Sequence, residues 1–254
     1  MSIFPDRFRL DGRTALVTGS GRGLGWEMAK GLAEAGAKVL LHGRSRERLA
    51  RRLEELARAG HGAGALCFDM ADRKSMQSAL AEAGPIDILV HNAAERDRRP
   101  LADIEPEDFA RLVDVDLSAA HALVRLVVPG MIERAWGRLI LVTSITGQLA
   151  VPGASSYIAA KGGLAALARA LAAELGATGI TSNALSPGFF ATETNAEMKA
   201  SPAGERQRER CPAKRWAEPW EIAGAAVFLA SPAAAYVNGH TLTVDGGVSA
   251  TYLA

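Results

Sequence analysis

The sequence predicts an α/β fold, a doubly wound parallel sheet of about seven strands with helices on both faces. Three observations carry that prediction. Short β-rich apolar runs alternate with helix-period segments along the chain, a glycine cluster sits where the first run gives way to the first helix, and no shift of composition marks a second domain. Such alternation favours parallel strands joined by right-handed helical crossovers.

Taken in order, residues 14–18 form the first apolar run, and 24–35 carry apolar residues at three- and four-residue steps, as in Leu24, Met28 and Leu32. The pair repeats with strand 38–42 and helix 46–59, then with strand 65–68 and helix 74–83. Strand 86–91 precedes the long helical pattern of 107–135, and strand 138–143 precedes that of 156–175. Strand 180–185 leads into one irregular stretch, 193–218, with Pro202, Gly204, Pro212 and a charged run over 205–210. A helix at 219–229 and a strand at 241–244 close the pattern. Residues 1–254 are therefore expected to form one domain, with 193–218 as a substrate lid, since long loops in compact domains often cover active sites. The plain alternative for 193–218 is a solvated loop.

With 254 residues, 48% hydrophobic, 22% charged and a net charge of +1, the chain can bury a sizeable core. That balance argues against disorder and against a broad field for nucleic acid. Its two cysteines, Cys67 and Cys211, are far apart, which suits a reducing cytoplasm. Residues 1–11 lack a signal-peptide pattern, and no run of about 18 apolar residues occurs. The expectation is a cytoplasmic protein that engages neither membrane nor nucleic acid. The five histidines show no metal-ligand spacing, so no metal site is expected.

The segment Thr18-Gly19-Ser20-Gly21-Arg22-Gly23-Leu24-Gly25 joins the first strand to the first helix. Glycines there let the backbone approach a pyrophosphate held by helix N-terminal amides, a dinucleotide site of Rossmann type. The second strand ends in His42-Gly43-Arg44, without the carboxylate that would bind a ribose and repel a 2'-phosphate. Arg44 and Arg22 can pair with that phosphate, so NADP is preferred and NAD remains possible. Both arginines can also be read as solvated surface residues.

Tyr157 and Lys161 are four residues apart on a predicted helix, and Ser144 follows an apolar strand. One helix face then carries a phenol and an ammonium, and the cation favours the phenolate. Tyr157 can trade a proton with a substrate oxygen, while a hydroxyl such as that of Ser144 bonds the same oxygen.

Together these residues resemble the short-chain dehydrogenase/reductase family over essentially the whole chain. The family's glycine motif corresponds to Thr18-Gly19 with Gly23 and Gly25, its adenine-side aspartate to Asp69 followed by Met70, and its Asn-Ala-Gly motif to Asn92-Ala93-Ala94. Pro187-Gly188 matches the turn after the sixth strand, with Phe190 and Thr192 placed to hold the nicotinamide carboxamide. The resemblance implies that Tyr157 is the acid or base, that Lys161 binds the ribose and assists the tyrosine, and that Ser144 orients the carbonyl. Taken singly, Asp69 and Asn92 can equally be loop residues capping local amides.

Two positions depart from the family pattern. Ala94 replaces its glycine, and Asp116 replaces an asparagine that holds a proton-relay water. A carboxylate accepts hydrogen bonds but lacks amide donors, and it adds charge near Lys161. Asp116 is expected to be a working catalytic substitute, the alternative being a helix residue with local partners.

Within the family the chain is most similar to the gluconate 5-dehydrogenase (5-keto-D-gluconate reductase) group, through 8–13, 84–90, 98–101, 212–216 and 236–240. Arg98 is the substrate candidate, since a guanidinium can hold a sugar-acid carboxylate bidentately, or it is a solvated loop charge. A second enzyme reading is a 3-oxoacyl-(acyl-carrier-protein) reductase that meets an acidic carrier through Arg206, Arg208, Arg210, Lys214 and Arg215. A third, non-catalytic reading is a dinucleotide-sensing protein. The resemblance further implies a homotetramer in which the helices at 107–135 and 156–175 pair across a dimer interface and the segment after Gly247 completes contacts.

Overall fold

The strands β1 (Thr14–Val17), β2 (Lys38–Gly43), β3 (Ala63–Cys67), β4 (Ile88–His91), β5 (Gly137–Val142), β6 (Ile180–Pro187) and β7 (Thr241–Val244) form one sheet in the order β3-β2-β1-β4-β5-β6-β7. Every pairing is parallel. The computed structural model describes residues 4–251; the ends of the span expected to be one domain, and the last residues after Gly247, lie outside the described residues.

Alternate strand residues supply two cores. Ala15, Val17, Ile88, Val90, Ile140 and Val142 face the layer of α1 (Gly23–Glu34), α2 (Arg46–Arg58) and α9 (Ala223–Ala230). Leu16, Leu89, Leu139 and Leu141 face the layer of α3 (Arg73–Glu82), α4 (Pro106–Val113), α5 (Ala119–Glu133) and α6 (Ser155–Leu175). Burial on both sides explains why these strands are nearly unbroken apolar runs.

The chain runs outward from β1 to β3, then returns to place β4 on the other side of β1. Crossovers diverge there, so a crevice opens at the carboxyl ends of the strands.

Two expectations need correction. The pattern over 107–135 is a helix spanning Pro106–Glu133 with a wider π turn at Asp114–Ser118 between α4 and α5. The extra residue in that turn lets Val115 and Asp116 both bury themselves. By length and hydropathy this helix is able to cross a membrane, yet Leu123, Val127 and Met131 place one side of it in the second core.

The irregular stretch at 193–218 also contains α7 (Ala196–Ala200) and α8 (Pro202–Arg210). Its proline suggested a loop but starts a helix. Ser201 caps α8 by accepting from the Gly204 amide, and Pro202 stands at the first position, where a missing N–H costs nothing. A bridge between Phe190 and Ala217 closes this excursion at its base.

Candidate active site

Thr18 is the pin between β1 and β4. Its buried hydroxyl accepts from the amides of Asn92 and Ala93, each at 2.9 Å. The Asn92 side-chain Nδ2 donates back to the Thr18 carbonyl at 3.0 Å. This clamp leaves no room inside the turn: a Cβ on Gly25 would stand 2.5 Å from both the Asn92 Nδ2 and the Gly19 oxygen. Gly19 and Gly23 take positive φ, +65° and +56°, a region glycine enters without steric cost. Beyond them α1 begins at Arg22 with no side-chain cap and no acid in its first turn. Its free amides and positive dipole end suit an anion.

Ser20 was expected to touch a cofactor but turns inward. Its Oγ accepts from the His42 amide at 2.9 Å, its own amide donates to the His42 carbonyl, and it is fully buried. His42 completes the brace. Its Nε2 lies 3.1 Å from the Phe68 carbonyl, which can only accept, so Nε2 carries the proton and bare Nδ1 accepts from the Gly19 amide at 3.2 Å. Burial holds the imidazole neutral, with its pKa lowered to about 4.

A cleft of about 710 Å³ runs from this loop across the carboxyl ends of the strands. At one end it is lined by Arg22, Arg44, Arg48 and Asp69. Arg44 lies 3.5 Å from Asp69, and both are exposed, so that pair is weak and free to rearrange around an anion. Arg48 escaped sequence reading because it lies within a helix; the signal was its place on the first turn after Arg44, at the capped start of α2.

At the other end stand Ser144, Tyr157 and Lys161. Lys161 is buried, donates to the Val142 carbonyl at 3.1 Å, and places Nζ 5.6 Å from the centre of the Tyr157 ring. The Ser144 Oγ accepts from the Thr146 amide at 3.2 Å and from the Thr146 hydroxyl at 2.9 Å. With both acceptor positions used, its own proton is left to donate into the cleft. The constellation can hold a carbonyl oxygen between two hydroxyls beside a cation.

Asp116 stays outside the cleft lining and reaches Lys161 from behind. Its Oδ2 lies 3.7 Å from Nζ with no hydrogen-bond partner among the described residues, while Oδ1 accepts from the Glu95 amide at 2.7 Å. Burial raises its pKa, opposed by Lys161. The buried His91 donates Nε2–H to the Asp116 carbonyl at 2.9 Å. Burial, then Lys161, lower its pKa to about 3.

The remaining expected residues line the same cleft: Gly19, Gly23, Leu24 and Gly25 beside the helix start; Met70, Asn92, Ala93 and Ala94 along the wall; Pro187, Gly188, Phe190 and Thr192 opposite. Arg98 lines it too. Sequence reading passed over Arg96 and Asn195. Arg96 stands over the Tyr157 ring, 5.9 Å from its centre, and donates to the Asn195 Oδ1 at 2.9 Å. No spacing rule links a loop residue to a partner 99 positions away.

The chain is similar to known proteins over nearly its whole length. A family model described as enoyl-(acyl carrier protein) reductase matches residues 19–249. The chain is 40% identical over 253 residues to a 2-dehydro-3-deoxy-D-gluconate 5-dehydrogenase of Formosa agariphila, covering 97% of this chain and 96% of that protein. It is 38% identical over 250 residues to a gluconate 5-dehydrogenase of Gluconobacter oxydans, covering 96% and 98%. A solved gluconate 5-dehydrogenase from Burkholderia cenocepacia, in complex with NADP and tartrate, superposes with a TM-score of 0.93 at 40% identity, covering 97% and 99%.

Proposed function

The chain belongs to the short-chain dehydrogenase/reductase family, and from that premise we propose that it interconverts D-gluconate and 5-keto-D-gluconate with NADP(H). The observation that carries this is the meeting, in one cleft, of an uncapped helix start behind a glycine loop with Ser144, Tyr157 and Lys161. The sugar-acid choice rests on relatives named for gluconate chemistry and on the arginines at the reactive end.

The residues fit the cofactor, since the space beside Gly19 and Gly25 admits no side chain and the start of α1 has no side-chain cap. A bound nicotinamide dinucleotide supplies or accepts the hydride. The α1 start would hold its pyrophosphate, Arg22, Arg44 and Arg48 a 2'-phosphate, and Phe190 and Thr192 the carboxamide. Asp69 and Met70 would face the adenine, and Asn92, Ala93 and Ala94 shape the wall between.

Tyr157 gives its phenolic proton to the carbonyl oxygen during reduction and takes one back during oxidation. The Ser144 hydroxyl donates to the same oxygen and stabilises charge as it develops. Lys161 supports the tyrosinate electrostatically and is positioned by the Val142 carbonyl and Asp116. Asp116 is a positioning residue that stands in for an amide. The segment 193–218 serves as the lid, the protein works as one cytoplasmic domain, and it assembles as a homotetramer through the α4–α5 and α6 faces, where Phe109 and Leu126 are exposed.

The carrier-protein reading is weakened, since two of the five cations it relies on are engaged by carboxylates, Arg208 by Glu205 and Arg215 by Glu221. An NADPH-oxidation screen of 5-keto-D-gluconate, acetoacetyl thioesters and neutral ketoses, with wild type beside Tyr157→Phe, tests the proposal. Preference for the thioester would replace it, and cofactor binding without turnover of any carbonyl would favour a sensing role.

A further inference from the structure

We infer that Arg73 is a positioning residue that pins the π turn so that the Asp116 carboxylate stands off from Lys161; this rests on the dehydrogenase chemistry proposed above, whichever carbonyl is its substrate. The Ala119 amide donates to the Asp114 carbonyl five residues earlier, the bond that widens the helix into a π turn. Arg73, the first residue of α3, donates Nη2 to that same carbonyl at 3.1 Å and to the Asp114 Oδ1 at 2.7 Å. Its Nη1 donates to the Met70 carbonyl. One guanidinium thus fastens the π turn to the loop of Asp69 and Met70.

Asp116 faces titratable residues on three other elements: Lys161 on α6, His91 on β4 and Glu95 in the loop after β4. Lys161 Nζ stops 3.7 Å from the Asp116 Oδ2, close enough for charge attraction and too far for a hydrogen bond. Opposite charges at that spacing in a dry interior attract strongly, so the turn must resist closure. Three contacts supply the resistance. His91 Nε2–H holds the Asp116 carbonyl at 2.9 Å, the Glu95 amide holds Oδ1 at 2.7 Å, and Arg73 holds Asp114 where the turn begins. Oδ2, which has no hydrogen-bond partner among the described residues, is the atom that would close the gap.

Closure would commit the lysine to the carboxylate and offset the positive charge that favours the Tyr157 phenolate. The stand-off leaves Lys161 bonded to the Val142 carbonyl at 3.1 Å and 5.6 Å from the centre of the Tyr157 ring, on the same helix. Of the three restraints, His91 is part of the buried interior and Glu95 acts through its backbone. Arg73 is 33% exposed, so it can be replaced without opening the core or touching the direct partners of Asp116.

The test compares wild type with Arg73→Gln, Asp114→Ala, Asp116→Asn and the double variant Arg73→Gln/Asp116→Asn, on 5-keto-D-gluconate or the carbonyl that the screen above finds best. Asp114→Ala keeps the Arg73 bond to Met70, which separates the turn from the loop of Asp69 and Met70. Thermal melts verify that each variant is folded, and kcat is read at saturating NADPH. Arg73→Gln is expected to lower kcat about 3- to 10-fold, the range that loss of one or two hydrogen bonds spans, and Asp114→Ala somewhat less. In alcohol oxidation, the rise of kcat with pH should move upward by roughly half a unit or more in Arg73→Gln. Without the carboxylate there is nothing to close onto the lysine, so the double variant should turn over at the rate of Asp116→Asn alone. An unaltered kcat in Arg73→Gln, an unmoved pH profile, or the same fractional loss in both backgrounds overturns the assignment and leaves the dehydrogenase reading standing. Wild type with no turnover of any carbonyl removes both.

Discussion

Lys161 Nζ lies 3.7 Å from Asp116 Oδ2, and both side chains are buried, 2% and 0% exposed. A buried pair of this kind costs desolvation on both sides, and the lysine is further held by the Val142 carbonyl. Asp116 therefore acts on Lys161 from behind, away from the cleft. An asparagine there would keep the Glu95 contact through its carbonyl and offer the lysine a neutral neighbour.

Asp116→Asn is expected to retain or raise kcat. The raised Asp116 pKa means that the carboxyl takes up its proton at a higher pH than an ordinary aspartate as the solution is acidified. Protonation removes the charge facing Lys161 and leaves a neutral side chain much like that of asparagine, so wild-type kcat should hold or rise toward that of the variant as the pH falls, whereas the variant shows no such dependence from this position. A pH profile of kcat for both proteins checks this, and collapse of the variant at every pH would mean that the carboxylate has a role of its own.

Removing the proposed proton carrier should abolish most turnover while sparing the cofactor site. Tyr157→Phe is expected to lower kcat by about 100- to 10,000-fold, and Ser144→Ala by roughly 100-fold. NADPH affinity, read by fluorescence titration, should change little in either.

The proposed reading gives cofactor choice to the arginines at the far end of the cleft. Wild type should favour NADPH, and Arg44→Asp should reduce the NADPH-to-NADH ratio of kcat/KM by about 10-fold or more through loss of a charged contact. A wild-type preference for NADH would show that Arg44 stays with Asp69 in solution.

His42 predicts an acid-labile fold. The unfolded imidazole binds a proton below about pH 6.5, whereas the folded one stays neutral down to about 4. The unfolded state thus holds the extra proton in that window, and stability falls as pH drops from 6.5 to about 4, by roughly 3 kcal/mol from this group. His91, lowered to about 3, adds to the same slope. Urea melts across this range should show a shallower decline for His42→Gln, whose side chain does not titrate.

The segment 193–218, proposed as the lid, can be loosened at a point remote from the chemistry. A methyl on Gly204 would meet the Met198 carbonyl at 2.1 Å, and the Gly204 carbonyl accepts from the Trp216 indole at 3.2 Å. Gly204→Ala should raise KM for the substrate several-fold while the Kd of NADPH holds steady, measured by steady-state kinetics and titration. Equal damage to both would assign 193–218 a role in the fold at large.

The fold and the reactive trio are local properties, and the sequence determined both. Apolar alternation dictates the strands, four-residue spacing dictates the shared face of Tyr157 and Lys161, and the glycines mark where a side chain cannot fit. The errors lie where local signals compete: Pro202 and a charged run suggested a loop, yet Ser201 and Pro202 start a helix. Only the tertiary structure decided that Ser20 braces β2, that Arg96 and Asn195 meet over Tyr157, and that a π turn swings Asp116 behind Lys161. Those contacts join residues far apart in the chain, and their geometry depends on how strands and helices settle against one another, which no spacing along the sequence encodes.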